Sequence, residues 1–227
     1  RAKIIFTKVK QVIEKYKMDA PKILNIGAAT GYTSEILSKL GNVKSVEHDK
    51  DCFDFLQSLN RFDCVNASVI SLPFTDESFD IVCAFDVIEH VEDDALALRE
   101  MKRVCKNSGA IFITVPAYMS LWSEHDEINH HIRRYTKSSL LSMLDKSKII
   151  YKSYFNSILF LPVYFYRKLS NLFSGRRKRH AGLKSDFEFN NPVLNFLFYH
   201  IFNMETYLIT NSISLPFGVS FFLIVRK

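Results

Sequence analysis

In the first half of the chain, short apolar runs alternate with stretches whose apolar side chains recur at helical spacing. Residues 22–26 form a short, mostly apolar run ended by Gly27, whereas residues 3–16 place Ile5, Val9, Val12 and Ile13 on one helical face. Strands that alternate with helices at this spacing indicate parallel crossover units. The pattern predicts helices at 3–16, 33–40, 50–59 and 93–105, and strands at 22–26, 43–46, 63–66, 79–85 and 110–115.

After Pro116 the pattern changes to a polar and aromatic loop over residues 117–135. Beyond it we expect helices at 137–144, 156–173 and 192–209, and strands at 149–154 and 219–225. The predicted fold is a doubly wound, mostly parallel seven-stranded α/β sheet (Rossmann-like) with a helical insertion before the last strand. The predicted organisation is a core at 1–155, a helical, aromatic and basic insertion at 156–212, and the last strand at 213–227.

Charge divides the chain unevenly. Residues 150–227 carry a net charge of +7 and residues 1–149 a net charge of −1, within an ordinary globular composition of 48% hydrophobic and 24% charged residues. The basic third contains many Phe and Tyr residues and the basic run at 176–179. This combination leaves three alternatives open: a helical lid over a substrate pocket, a surface for anionic lipid headgroups, and, ranked third, an RNA contact.

The sequence predicts neither a membrane-spanning segment nor a structural role for its cysteines in disulfides or a zinc site. The longest apolar run, 158–166, is far shorter than the roughly 20 residues that span a bilayer, so we predict no integral membrane segment. No secretory signal opens the sequence, but it begins with Arg1 rather than methionine, and a targeting segment is not excluded. The four cysteines form no CxxC pair, and we expect buried free thiols rather than disulfides or a zinc site.

A small-residue turn follows the first predicted strand and indicates a ligand site. The turn spans Gly27 to Gly31, and Glu47 stands twenty residues after Gly27, at the end of the second strand. Such a turn lets the backbone approach a ligand, and a carboxylate in that position accepts hydrogen bonds from ribose hydroxyls. Nicotinamide dinucleotides, flavins and S-adenosylmethionine all suit this pattern, although the missing third glycine disfavours a pyrophosphate. The alternative is a tight turn beside a solvated glutamate.

The stretch from Ser68 to Val82 contains Leu72-Pro73-Phe74 and Phe79-Asp80, and it leads to Glu89-His90-Val91. With the glycine turn, these motifs resemble the class I S-adenosylmethionine-dependent methyltransferases of the small-molecule type, over residues 22–116. The resemblance implies S-adenosylmethionine as cofactor and S-adenosylhomocysteine as product.

The resemblance also implies a role for each cofactor residue. The turn residues would wrap the methionine and ribose, Glu47 would hold the ribose hydroxyls, and further residues would border the adenine or the sulfonium. The chain departs from the family at Asn25, Ala29, Ser68 and residues 107–109. The implied cofactor-binding residues are Asn25, Gly27, Ala28, Ala29, Gly31, Glu47, His48, Ser68, Val69 and Phe85.

The loop after the fifth strand is the candidate substrate site, and its LWSxHD…HxRRY string is similar to that of one branch of the family. Imidazole titrates near neutral pH, so His125 and His131 are the candidate bases, with Asp126 orienting one of them. For the substrate we predict contacts from Trp122, Arg133, Arg134 and Tyr135, since an arginine can clamp a carboxylate or phosphate. Alternatively, this segment caps the next helix and pairs with Glu89 or Asp126. We predict no metal, because methyl transfer does not require one.

Together these signals predict an S-adenosylmethionine-dependent methyltransferase that O-methylates a small or lipid-linked metabolite by in-line displacement. The alternative is an adaptor that keeps the cofactor fold and binds a membrane or partner through its basic aromatic insertion. We expect a cytoplasmic protein, peripheral to the inner face of the membrane if the insertion binds anionic lipid, and no nucleic-acid partner.

Overall fold

The structure is a computed structural model that describes residues 1–144, 148–158, 160–165 and 192–227. Its seven strands form one sheet in the order β3-β2-β1-β4-β5-β7-β6, parallel from β3 to β5, with β7 antiparallel to both neighbours. This confirms the predicted fold class. The strands are β1 (Lys22–Ile26), β2 (Asn42–Glu47), β3 (Cys64–Asn66), β4 (Phe79–Phe85), β5 (Cys105–Pro116), β6 (Ile149–Phe155) and β7 (Ser220–Arg226).

The helices lie close to where the apolar spacing places them. Asp49 and Asp93 begin two of them by accepting hydrogen bonds from the backbone N–H groups of Cys52 and Leu96, as N-cap residues do. The helices are α1 (Ala2–Lys15), α2 (Tyr32–Ser38), α3 (Lys50–Ser58), α4 (Asp94–Val104), α5 (Glu124–Ile128), α6 (Lys137–Ser142) and α7 (Pro192–Thr210), with 3₁₀ turns at Ile88–His90 and Met119–Leu121.

The central strands are apolar on both faces because helices cover both faces of the sheet. In β4, Val82 belongs to the apolar cluster that includes Leu98 and Met101 of α4, whereas Ile81 belongs to the cluster that includes Val9 of α1 and Ile209 of α7. The two clusters hold the sheet between two helical layers, so the carboxyl ends of the parallel strands meet at one rigid edge.

Among the described residues, the structure departs from the sequence pattern at β5 and in the loop that follows it. First, β5 begins at Cys105 rather than residue 110, because Cys105 pairs with Phe79 ahead of a register shift. Second, the predicted loop at 117–135 contains α5, which a capping box of Ser123 and Asp126 begins.

Part of the insertion lies outside the described residues, including half of the predicted helix at 156–173 and the basic run at 176–179. The described part contains residues 160–165, which are helical, and α7. No helix in the described part of the chain is long and apolar enough to cross a bilayer. The four cysteines are free, as predicted, and three of them are buried.

Candidate active site

The glycine turn and Glu47 lie side by side at the carboxyl edge of the sheet. The backbone N–H groups of Gly27 and Ala28 donate to the carbonyl of Val46 at 2.8 and 3.1 Å, which folds the turn back over β2. The carboxylate of Glu47 accepts from the backbone N–H of Ala29 at 2.7 Å and of Asp49 at 2.9 Å. These two bonds fix the acid against the turn, with 8% of its surface exposed.

Three residues of this turn have left-handed backbone angles. Gly27 has φ 73°, Ala29 φ 46° and Gly31 φ 86°. A Cβ at Gly27 would stand 2.6 Å from a methyl of Val87, so a side chain there would displace the segment after β4. Ala29 adopts an angle that favours glycine, and its side chain therefore strains the turn.

Asn25 lies beneath the turn, almost fully buried. Its side-chain N–H donates to the hydroxyl of Ser34 at 2.8 Å, and Ser34 in turn shares a hydrogen bond with Ser45 at 2.9 Å. The side-chain carbonyl oxygen of Asn25 has no partner within the described structure. A buried acceptor without a partner is costly, and it suits a site whose ligand supplies a donor.

The other predicted cofactor residues surround the same edge. His48 directly follows Glu47 and is exposed, Ser68 is half-buried, Val69 is buried, and Phe85 is half-buried at the end of β4. The backbone carbonyls of Glu47 and His48 accept from the side chain of Asn66 at 2.8 and 3.1 Å, which joins the ends of β2 and β3. The predicted cofactor residues lie at or near the carboxyl ends of neighbouring strands, and their roles remain predictions.

Asp126 is fully buried and organises the loop after β5. One oxygen, Oδ1, accepts from Nδ1 of His131 at 2.8 Å and from Nε of Arg134 at 2.7 Å; the other accepts from the backbone N–H of Ser123 at 2.9 Å. Burial by itself would raise the pKa of Asp126, but the hydrogen bonds from His131 and Arg134 outweigh it and hold that pKa below its usual value. Asp126 is therefore ionised and, as an acceptor, keeps the proton of His131 on Nδ1.

Three of the four predicted substrate-binding residues form hydrogen bonds or ion pairs with other residues of the protein. The guanidinium of Arg134 is buried and also donates to the carbonyl of Ala117 at 3.2 Å. Arg133 pairs with Asp94 at 2.9 Å, and the hydroxyl of Tyr135 donates to the same carboxylate at 2.8 Å. The sequence alternative therefore holds in part: the segment pairs with Asp126, whereas the carboxylate of Glu89 receives no hydrogen bond from the described residues and Thr136 caps the next helix. Trp122 is half-buried, and His125 is exposed on α5.

A further cluster contains Glu89, His90 and His131. The sequence did not predict that these three residues form one site. One potential ligand atom from each residue lies within 4.8 Å of the others, and the rings of His90 and His131 have centroids 4.8 Å apart. Glu89 is completely buried and neither carboxylate oxygen has a hydrogen-bond partner among the described residues. Burial, with a smaller contribution from Asp86, raises the pKa of Glu89 well above its usual value. The feature of the sequence that indicates this cluster is the position of Glu89 and His90 just after β4.

Asp86 also stands at this edge, at the end of β4. It pairs with the guanidinium of Arg1 and accepts from the hydroxyl of Thr114 at 2.8 Å, while Arg1 also donates to Thr114 at 2.8 Å. Asp86 has φ 56°, so the chain turns sharply between the strand and Glu89. This turn places the residues after β4 beside the glycine turn.

Comparisons with known proteins agree with this geometry. Residues 24–113 match a family model described as a methyltransferase domain. The chain is 30% identical over 129 residues to a probable S-adenosylmethionine-dependent methyltransferase of Mycobacterium tuberculosis, covering 55% of this chain and 47% of that protein. It is also 30% identical over 106 residues to a malonyl-[acyl-carrier protein] O-methyltransferase of Halorhodospira halophila, covering 44% and 36%.

Solved structures share the fold over the whole chain. A S-adenosylmethionine-dependent methyltransferase from Archaeoglobus fulgidus superposes with a TM-score of 0.59 at 18% identity, covering 100% of this chain and 95% of that one. The chain spans about half or less of the length of the curated relatives it matches.

Proposed function

We propose that the protein is a class I S-adenosylmethionine-dependent methyltransferase, because residues 24–113 match a family model described as a methyltransferase domain and the sheet has the fold of a solved S-adenosylmethionine-dependent methyltransferase. The observation that carries the proposal is the placement of a buried carboxylate, Glu47, against a turn with three left-handed residues at the carboxyl edge of a parallel sheet. The adaptor alternative is not favoured, because the family match covers the cofactor half of the fold rather than the insertion.

The residues present suit this cofactor. S-adenosylmethionine supplies a methyl group already activated on a sulfonium. Glu47 would accept hydrogen bonds from the ribose hydroxyls, and the unpartnered carbonyl oxygen of Asn25 suits a donor such as the methionine ammonium. His48, Ser68 and Val69 would border the adenine, and Phe85 would face the sulfonium end. The chemistry of the donors and acceptors therefore matches the two ends of the molecule.

The protein's own task in an in-line displacement is to orient the acceptor and exclude water. We assign this task to the loop that Asp126 organises, because its buried bonds to His131 and Arg134 make it rigid. His131 is held with its proton on Nδ1, so Nε2 is the nitrogen that could accept a proton or bind a ligand. His125, Trp122, Arg133 and Tyr135 remain candidates for contact with the acceptor from the same loop.

We further propose an oxygen nucleophile on a small or lipid-linked acceptor. A basic aromatic insertion suits an acceptor carried at a membrane, and α7 presents exposed Phe196, Tyr199 and Tyr207 at helical spacing. Because two curated relatives are named O-methyltransferases, one of malonyl-[acyl-carrier protein] and one of ubiquinone biosynthesis, oxygen-directed transfer is the leading case.

Calorimetry with S-adenosylmethionine and S-adenosylhomocysteine tests the proposal. The wild type should bind both at micromolar concentration, and Glu47→Ala should weaken binding at least about tenfold, because a charge-assisted hydrogen bond contributes roughly 1.5–3 kcal/mol. Asp54→Asn, an exposed acid on α3, is the matched control and should bind as the wild type does. Absence of binding by the folded wild type would refute the assignment.

A further inference from the structure

A completely buried carboxylate without a partner needs an explanation. Glu89 is 0% exposed, and neither oxygen receives a hydrogen bond from the described residues. Buried carboxylates in proteins are normally paired, hydrogen-bonded or coordinated to a cation. Although Arg134 and Arg1 lie near enough to influence Glu89 electrostatically, neither bonds to it, since Arg134 is held by Asp126 and Arg1 by Asp86.

Two imidazoles complete a set of potential ligands around this carboxylate. His90 follows Glu89 in the 3₁₀ turn, and His131 reaches it from the loop after β5. A backbone hydrogen bond of 2.8 Å from Ile132 to the carbonyl of Glu89 locks the two segments together. The three side chains therefore come from two segments fixed to one another, rather than from a flexible surface.

His131 is prepared for coordination by its other neighbour. Its Nδ1 proton is donated to the ionised, fully buried Asp126, which leaves Nε2 as the nitrogen with a lone pair. A carboxylate that holds the far nitrogen of a ligating histidine is the usual support of a protein metal site. Asp126 is in turn held by Arg134 and by the backbone of Ser123, so the ring orientation is well determined.

We propose that Glu89, His90 and His131 bind a divalent transition-metal cation, with Asp126 positioning His131. Two imidazoles and one carboxylate favour Zn²⁺, Mn²⁺ or Fe²⁺ over Mg²⁺ or Ca²⁺, and three protein ligands leave at least one position open. Ligand atoms around a tetrahedral Zn²⁺ stand about 3.3 Å apart, given bonds of about 2.0–2.1 Å. The ligand atoms here lie within 4.8 Å of one another, so binding requires them to move closer, and His90, the exposed member of the three, has the most room to move.

The location gives the cation a role that rests on the proposed function. Val87, two residues before Glu89, occupies the space into which a side chain at Gly27 would point, so the cluster lies close to the turn where the methyl donor would bind. The open position would take an oxygen of the methyl acceptor and hold it near the methyl group. Orientation of the acceptor by a cation would supplement the loop residues named above.

The test uses untagged protein treated with a chelator, to which Zn²⁺ or Mn²⁺ is added. Calorimetry should show one site per chain, and the melting temperature should rise with metal, since a ligand that binds only the folded state stabilises it. Glu89→Gln and His90→Ala should each abolish both effects. His125→Ala, an exposed histidine of the same loop, is the matched control and should retain both.

Two results would overturn the proposal: no stoichiometric metal binding by the wild type, or metal binding that survives both substitutions. Glu89→Gln keeps the side-chain shape and places no charge in the buried site, so it should fold, and its circular dichroism spectrum verifies this. S-adenosylmethionine binding is measured separately on the chelator-treated protein. Failure of the metal site and failure of the proposed cofactor site therefore give different results.

Discussion

At the scale of single residues, the buried polar side chains are the clearest indication of function. Glu47, Asn25, Glu89 and Asp126 are all nearly or completely buried, and all lie at or near the carboxyl edge of the sheet. Glu47 and Asp126 have several hydrogen bonds, whereas Asn25 and Glu89 each keep at least one acceptor without a partner in the described structure. This division separates the residues that maintain the site from the two that we propose as ligand contacts.

The strain at Ala29 leads to a first prediction. Ala29→Gly should raise the free energy of unfolding by up to about 1 kcal/mol, because glycine relieves roughly 1–2 kcal/mol of left-handed strain and loses about 0.4–1 kcal/mol through greater freedom of the unfolded chain. Urea denaturation measures the change. Ala28→Gly is the matched control, since Ala28 is buried without a left-handed angle, and it should destabilise the protein.

The ion pair of Asp126 with Arg134 leads to a second prediction. Asp126→Asn should lower the free energy of unfolding by about 3–5 kcal/mol, because it leaves the buried guanidinium without its counter-charge. Asp76→Asn removes an exposed partner of Arg103 and should cost no more than about 1 kcal/mol. Equal losses in the two variants would contradict the structural role of Asp126.

Lys8 leads to a prediction on pH. Its side chain is 2% exposed, donates to the hydroxyl of Ser212 at 2.9 Å and lies 3.9 Å above the ring of Tyr151. Burial lowers the pKa of Lys8 to about 8. Above pH 8 the unfolded chain therefore binds a proton that the folded protein has lost, so the contribution of Lys8 to stability should rise from pH 8 towards pH 10.

Chemical denaturation at several pH values measures this effect. Lys8→Met should remove the rise and should be more stable than the wild type at pH 7, with the difference shrinking as the pH approaches 10. Lys10→Met, on an exposed face of α1, should leave the pH dependence unchanged. A rise that persists in Lys8→Met would assign it to another group.

At the scale of elements, periodicity predicted the regular helices and strands well, and loops poorly. β1 and β4 lie at the predicted residues because each is a short apolar run with a clear end. α5 was missed because five residues are too few to show a helical period, although its capping box is readable in the sequence. The extension of β5 to Cys105 depends on pairing with Phe79, which is a contact between distant residues.

The candidate site likewise has parts that the sequence predicts and parts that only contacts between distant residues create. The glycine turn and Glu47 are neighbours along a strand-turn-helix pattern, and their meeting follows from the fold. Glu89 and His131 are separated in the sequence by the whole of α4, β5 and α5, and only the folded loop brings them together. The engagement of Arg134 by Asp126 likewise depends on burial, which a single sequence does not specify.

At the scale of the whole molecule, two surfaces matter for function. One is the carboxyl edge of the sheet, where we propose the cofactor site, and the other is an exposed apolar surface on α7. On α7, Glu205 and Ile209 are buried. The helix exposes four large apolar side chains to solvent: Phe196, Tyr199, Met204 and Tyr207. The exposed side chains Leu161 and Phe165 add to the apolar surface of the insertion. An exposed apolar surface in an insertion whose sequence is basic is typical of a lipid-facing element.

Flotation with vesicles tests this surface. The wild type should float with vesicles that contain anionic lipid and remain unbound with neutral ones, because the basic insertion adds electrostatic attraction. Combined substitution of Phe196, Tyr199 and Tyr207 by Ser should weaken binding at least about tenfold, through loss of buried apolar area. Phe55→Ser, an exposed aromatic on α3, should float as the wild type does. A wild type that stays at the bottom of the gradient would support a lid without a membrane contact.

The most direct test of the methyltransferase assignment is a crystal structure of the protein grown with S-adenosylhomocysteine. We expect electron density for the nucleoside beside Gly27, with both ribose hydroxyls within hydrogen-bond distance of the carboxylate of Glu47 and the sulfur facing Phe85. Density for the nucleoside at any other place, or a crevice closed by protein side chains at saturating concentration, would contradict it.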